Sequence, residues 1–333
     1  MRFAIKIEAM NGSEIVLNML DALLTRAEEA IHELEIVDAD LLENSAWYDS
    51  CRMTRRTMLE KSAGAMLHQT PRTRGPHLRR IYVNDEKTAS YARKIAHTPL
   101  SVLVENSESD GALVKSALRV FATQAAWDLC FGSGARQRPT AFSIESRGGH
   151  GELEKLLAKR LEEAAVLGLE PRLIVIADSD GEWPGDIKKH VTKIRGKCLA
   201  ASVPCPPLNK RTAENYIPDA VWKAWAAERQ YKSARPAVEA LLRLSYQQRD
   251  HLKFDTPTKD PWDSSKTEVN RLFADVSTAD QELLRTANLK GSGPNSIATI
   301  LETHETALTR AEFQIRDQAG ELESMVQCIE DEL

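Results

Sequence analysis

Cysteine is scarce and scattered in this chain: five in 333 residues (Cys51, Cys130, Cys198, Cys205 and Cys328), an odd number with no C-x-x-C and no partnering histidine spacing. That argues against a zinc site or a disulfide framework, and for a reducing cytosol. No apolar run approaches the length of a membrane span, and the amino terminus lacks a signal-peptide pattern, so the expected location is cytoplasmic, with no membrane partner. Excess positive charge is missing too. A formal net charge of -5 argues against a generally basic nucleic-acid binder and leaves such contacts to local patches or to metal ions. There is no G-x-x-x-x-G-K-S/T to cradle nucleotide phosphates, no internal repeat and no low-complexity tract.

What is present is length for two domains and a large core, with charge unevenly spread. Between Arg52 and Arg80 stand eight basic residues (Arg52, Arg55, Arg56, Lys61, Arg72, Arg74, Arg79, Arg80) against Glu60 alone; from Glu312 onward seven acids face only Arg316. The basic segment ends in Thr70-Pro-Arg-Thr-Arg-Gly-Pro76, which is loop chemistry able to close on phosphates.

The informative stretch is Arg172-Leu-Ile-Val-Ile-Ala-Asp-Ser-Asp180, an apolar run that stops at two carboxylates and then Gly181. It predicts a parallel strand covered on both faces, and ligands of open α/β sheets gather at the carboxyl ends of such strands. If extended geometry persists, Asp178 and Asp180 share a face and point into one pocket. Leu100-Ser-Val-Leu-Val-Glu-Asn106 is a second acid-tipped strand, followed by a helix over Ala112 to Ala122. Ala141-Phe-Ser-Ile-Glu145 reads as a third, opening into the glycine-rich turn Arg147-Gly-Gly-His150-Gly and a helix from Glu152 to Leu167. A helix from about Asp186 to Arg195 and the short apolar Leu199–Val203 follow, so alternating elements predict a mostly parallel α/β sheet between helices.

Flanking it, residues 1–98 read as a mainly helical region, with apolar residues at helical spacing from Ile15 to Leu34. Residues 221–333 read as helical, with Trp222 and Trp225 as core, a capping box at Thr278-x-x-Gln281 and an acidic tail able to shield the basic segment.

Glu105, Asp110 or Glu108, and Asp178 with Asp180 then form a carboxylate cluster able to hold one or two Mg²⁺ or Mn²⁺ ions, hard cations that prefer such oxygens. Ions so held orient a phosphodiester and activate water. Lys210 or Arg211 would neutralise charge on the phosphate, and both share a helical face with Glu214.

This set resembles the TOPRIM domain of topoisomerases, primases and the overcoming-lysogenization-defect nucleases. Leu103-Val-Glu105 matches its glutamate motif, Ile176-Ala-Asp-Ser-Asp180 its paired aspartates, and Lys210-Arg-Thr-Ala-Glu-Asn-Tyr-Ile-Pro218 the Arg-x-x-Glu-Asn-Tyr segment of the nuclease branch. Residues 99–220 carry the likeness. Two positions depart: Asn106 stands where the family has glycine, and Ser109 where it has a second acid, with Glu108 and Asp110 on either side.

The resemblance implies a metal-dependent nuclease acting on nucleic acid, DNA ahead of RNA, with Glu105 as ligand or base and Glu214 among the ligands; the basic stretch, through Arg72, Arg74, Arg79 and Arg80, and the glycine-rich turn, through Arg147 and His150, are the expected contacts to the nucleic-acid backbone. It also implies an effector of bacterial anti-phage defence, controlled by an ATPase in trans since this chain has no phosphate loop, and open to homo-oligomerisation. Three rivals stand: a catalytically silent TOPRIM assembly module, a Mg²⁺-binding receiver domain, and a nucleotide hydrolase with a Walker B strand. Against the receiver, Glu105 and Asp178 are 73 residues apart and no second acid adjoins Glu105.

Overall fold

The computed structural model describes residues 1–29, 31–68, 80–132, 141–148, 150–228, 234–254, 261–262, 264–286, 289 and 296–333. The fold is α/β, 61% helical, with two three-stranded, all-parallel sheets set against helices.

The sheet that positions the acids comprises β4 (Leu100–Leu103), β5 (Phe142–Glu145) and β6 (Leu173–Val175), in the order β5-β4-β6. Every residue of β4 and β6 is buried, as a strand covered on both faces must be. Alternation decides which way each points. Ile174 and Ile176 join Leu113, Val114 and Trp222 on one side of the sheet; Leu173, Val175 and Ala177 join Leu153, Leu157, Val191 and Ile194 on the other. At about 25 cal/mol per Å² of apolar surface, these two faces supply much of the driving force for folding. Leu103 stands opposite Val175 in the β4–β6 register, so both chains leave the sheet at the same level. The Ile176 N–H still donates to the Leu103 carbonyl at 2.9 Å. Glu105 and the Asp-Ser-Asp segment emerge side by side for that reason.

Residues 1–98 are mostly helical, as expected, but they also hold a sheet of β1 (Arg2–Ile5), β2 (Glu33–Ile36) and β3 (Arg80–Val83), in the order β2-β1-β3. The helix expected through Leu34 ends at Glu28, and Leu34 belongs to β2. Leu34 keeps helical spacing from Ile31, so periodicity over so few residues does not separate the two states. The apolar Leu199–Val203 is not a strand: Leu199 lies on the Lys189–Ala200 helix, 82% exposed, and Val203 is buried beyond its end.

In the carboxy-terminal third, Trp222 and Trp225 are core residues, 2% exposed, their rings edge-on at 5.8 Å. The Thr278–Thr286 helix is capped one residue earlier than expected: Ser277 Oγ accepts the Asp280 N–H at 3.1 Å, and the Gln281 side chain donates to the Val276 carbonyl. The acidic tail is not a solvated helix. Its Glu321–Glu332 helix buries Leu322, Met325, Val326 and Ile329 against the Ser109–Phe121 helix. Among the described residues no helix is long and apolar enough to cross a membrane.

Candidate metal centre

A cleft of about 500 Å³ opens at the carboxyl ends of β4 and β6, lined by Glu105, Asp110, Asp178, Asp180, Glu214, His190, Arg211, Lys188 and Lys253 among others. Each acid arrives by a different local device. Glu105 continues β4 by two residues. Asp110, in the first turn of the Ser109–Phe121 helix, accepts the Asn106 N–H at 2.9 Å and the Ser109 hydroxyl at 3.0 Å, folding the turn after Glu105 back on itself.

The Asp-Ser-Asp segment does not continue as a strand. β6 stops at Val175, and Asp180 lies in the left-handed region at φ 52. Aspartate tolerates that conformation better than most residues. Both aspartates reach the cleft, so the expected convergence is met by a tight turn instead of β alternation. The residue between them is structural: buried Ser179 has its Oγ 2.9 Å from the Asn209 and Lys210 carbonyls and accepts the Gly181 N–H at 3.0 Å. A Cβ on Gly181 would lie 2.1 Å from the Asp186 carbonyl oxygen, so no other residue fits there.

Carboxylates crowd one another here. Burial, then Asp110, Glu214, Glu105 and Asp180, push the Asp178 carboxyl well above the usual range. Burial, with Glu105 and Glu214, raises Asp110 to about 6, against the hydrogen bonds it accepts. A cation would relieve this repulsion. Ligand atoms of Glu105, Asp180 and His190 lie within 4.8 Å of one another, a spacing that one ion can bridge. His190 was not among the residues the sequence singled out. It sits in the first turn of the Lys189–Ala200 helix, Nε2 2.8 Å from Asp180 Oδ2. The signal available was a histidine following the Asp-x-Asp pair at the start of a helix. Asp178, by contrast, spends Oδ2 on the Ala213 N–H at 3.0 Å.

The segment from Asn209 to Tyr216 forms the opposite wall. Arg211 and Glu214 face the cleft, and Arg211 also donates to the His251 carbonyl at 3.2 Å. Lys210 does not line it: its buried ammonium donates to Asp250 at 2.6 Å, and burial followed by the nearby Arg316 lowers its pKa. Asn215 donates to the Arg249 and Leu252 carbonyls, and Tyr216 to Glu321. In the Arg-Thr-Ala-Glu-Asn-Tyr run, then, Arg211 and Glu214 address the cleft while Asn215 and Tyr216 fasten the segment.

Arg147 is exposed beyond β5, and the side chain of His150, which opens the His150–Leu167 helix, lies outside the described residues. Arg72, Arg74 and Arg79 also lie outside them. Arg80 pairs with buried Glu35 and stacks on Tyr82 at 4.7 Å, while Arg55 pairs with Asp21 and Arg56 stacks on Tyr48. Comparison with protein-family models, curated proteins and solved structures gives no match for this chain.

Proposed function

We propose that this protein is a divalent-metal-dependent phosphodiesterase acting on nucleic acid. The observation that carries the reading is the meeting of Glu105, Asp180 and His190 at the carboxyl ends of two neighbouring parallel strands, with the carboxyls of Asp178 and Asp110 beside them raised by burial and then by their acidic neighbours. Glu105, Asp180 and His190 would hold the ion, with Asp178 and Glu214 beside them. Carboxylate oxygens suit Mg²⁺ or Mn²⁺, and the imidazole nitrogen tips the set toward Mn²⁺. Such an ion, when bound, polarises a phosphodiester and stabilises charge on its oxygens.

The chain's own groups do the rest. Arg211, fixed by its bond to the His251 carbonyl, offers a guanidinium to a phosphate in the cleft. Lys188 and Lys253 add charge at the cleft wall. The TOPRIM-like order of Glu105, Asp178 and Asp180 supports the same chemistry.

The test is a cleavage assay of the purified chain on plasmid, linear DNA and RNA with Mg²⁺ or Mn²⁺, alone and with partners co-purified from its host. Metal-dependent cutting that Glu105→Gln and Asp180→Asn each reduce at least a hundredfold is expected. Cutting equally fast in either variant, or no cutting by the parent chain or its complexes, refutes the reading.

A further inference from the structure

Directly after the Asp-Ser-Asp turn the chain presents Trp183 on a rigid loop. The Asp186 N–H donates to the Trp183 carbonyl at 3.0 Å, with Pro184 next in line and Gly185 at φ 85, the pattern of a type II turn. The Glu182 N–H donates to Asp186 Oδ2 at 3.0 Å and locks the same loop. Trp47, Trp222 and Trp225 are buried in cores, whereas Trp183, like Trp127 and Trp262, is half-buried with part of its ring against the core.

Two ammonium groups flank its ring, Lys188 at 5.7 Å and Lys266 at 5.9 Å from the centroid, and both pair with Glu182. Lys188 lines the acid cleft. Trp183 and Pro184 line a second cleft of about 460 Å³, with Gln247 and Arg271 exposed along it. Glu268 and Asp275 line it as well, against Arg271 alone, so the charge of this cleft does not attract a phosphate, and what it offers a base is the aromatic face.

We propose that Trp183 is a stacking platform for an unpaired base of the strand whose phosphate enters the acid cleft, so that the substrate is single-stranded at this point. This rests on the phosphodiesterase reading. Every base offers a π-face, and a pre-ordered tryptophan beside lysine ammoniums binds it without sequence preference; in a duplex those faces are covered by neighbouring base pairs.

The test measures binding of labelled oligothymidylate, oligouridylate and a blunt duplex to the full chain in EDTA, where no metal-dependent cutting occurs. Tighter binding of a single strand than of the duplex is expected, whichever sugar it carries. Trp183→Ala should weaken single-strand binding about tenfold or more, Trp183→Phe distinctly less, and duplex binding should stay within about twofold. Equal loss on duplex and single strand, or none on either, overturns the platform. Should Trp183→Ala fail to fold, photocross-linking of a 5-iodouracil strand to the parent chain decides. Cross-linked peptide must contain Trp183, and its absence from that peptide overturns the proposal. Trp183-dependent binding without cleavage in Mg²⁺ or Mn²⁺ would refute the phosphodiesterase and leave the platform. Cleavage with unchanged single-strand binding in Trp183→Ala would do the reverse.

Discussion

Nε2 of His190 lies 2.8 Å from Oδ2 of Asp180, across a loop that returns the start of one helix to the end of the preceding strand. If these two groups and Glu105 share an ion, His190→Ala should weaken Mn²⁺ binding about 10- to 100-fold, measured calorimetrically on the metal-free chain. His190→Ala affinity equal to the parent's would show the pair to be an ordinary hydrogen bond.

Asp110 gives a pH prediction. Its carboxyl is raised from 3.8 to about 6 in the folded chain. The unfolded chain therefore releases this proton first as pH rises, and the folded chain holds more protons between those values. Stability is lost over that window and stays lower above it, by up to about 3 kcal/mol. Asparagine cannot ionise, so Asp110→Asn should be more stable than the parent at pH 7 in EDTA and show no such advantage near pH 3.5. Urea unfolding across this range checks it; a difference independent of pH refutes it.

Lys210 and Arg211 are neighbours with opposite expected phenotypes. Lys210 and Arg316 both donate to Asp250 at 2.6 Å within a buried network. Lys210→Met should cost about 3 kcal/mol of stability. Arg211→Met should cost less, about 1–2 kcal/mol for the lost bond to the His251 carbonyl, and lower the cleavage rate about 100-fold. A chemical denaturation curve and a single-turnover rate for each variant separate the two roles, and the reverse pattern would reassign them.

Glu321 ties the tail to the cleft wall, accepting the Asn209 N–H at 2.9 Å, the Asn209 side-chain amide at 2.8 Å and the Tyr216 hydroxyl. Glu321→Ala is expected to destabilise the chain by about 2 kcal/mol and expose the 209–216 segment to amide hydrogen exchange. Unaltered exchange in that segment would mean the tail does not support it.

Arg80 belongs to the fold. Arg80→Ala strands the buried Glu35 carboxylate and should cost about 2 kcal/mol. Neutralising Arg72, Arg74 and Arg79 without Arg80 is the cleaner probe of nucleic-acid contact, with a shallower salt dependence of binding as the expected result. An unchanged slope removes those arginines from the interface.

The acid-tipped strands were legible because burial on both faces demands a mainly apolar run: Leu173–Ala177 supplies it unbroken, and Leu100–Val104 supplies it with Ser101 as the one polar member. So were Glu105, Asp178 and Asp180, since a carboxylate ending such a run has few places to go but the sheet edge. The amino-terminal sheet was not: its four-residue strands are too short for period two to stand out, and only pairing in space makes β2 a strand. Nor could sequence separate Lys210 from Arg211, adjacent cations whose directions are set by Asp250, Arg316 and His251 far along the chain. His190 joined the acids for the same reason. Local pattern determined which strands carry charge to the cleft; the left-handed turn at Asp180 and the long-range hydrogen bonds decided which side chains meet there.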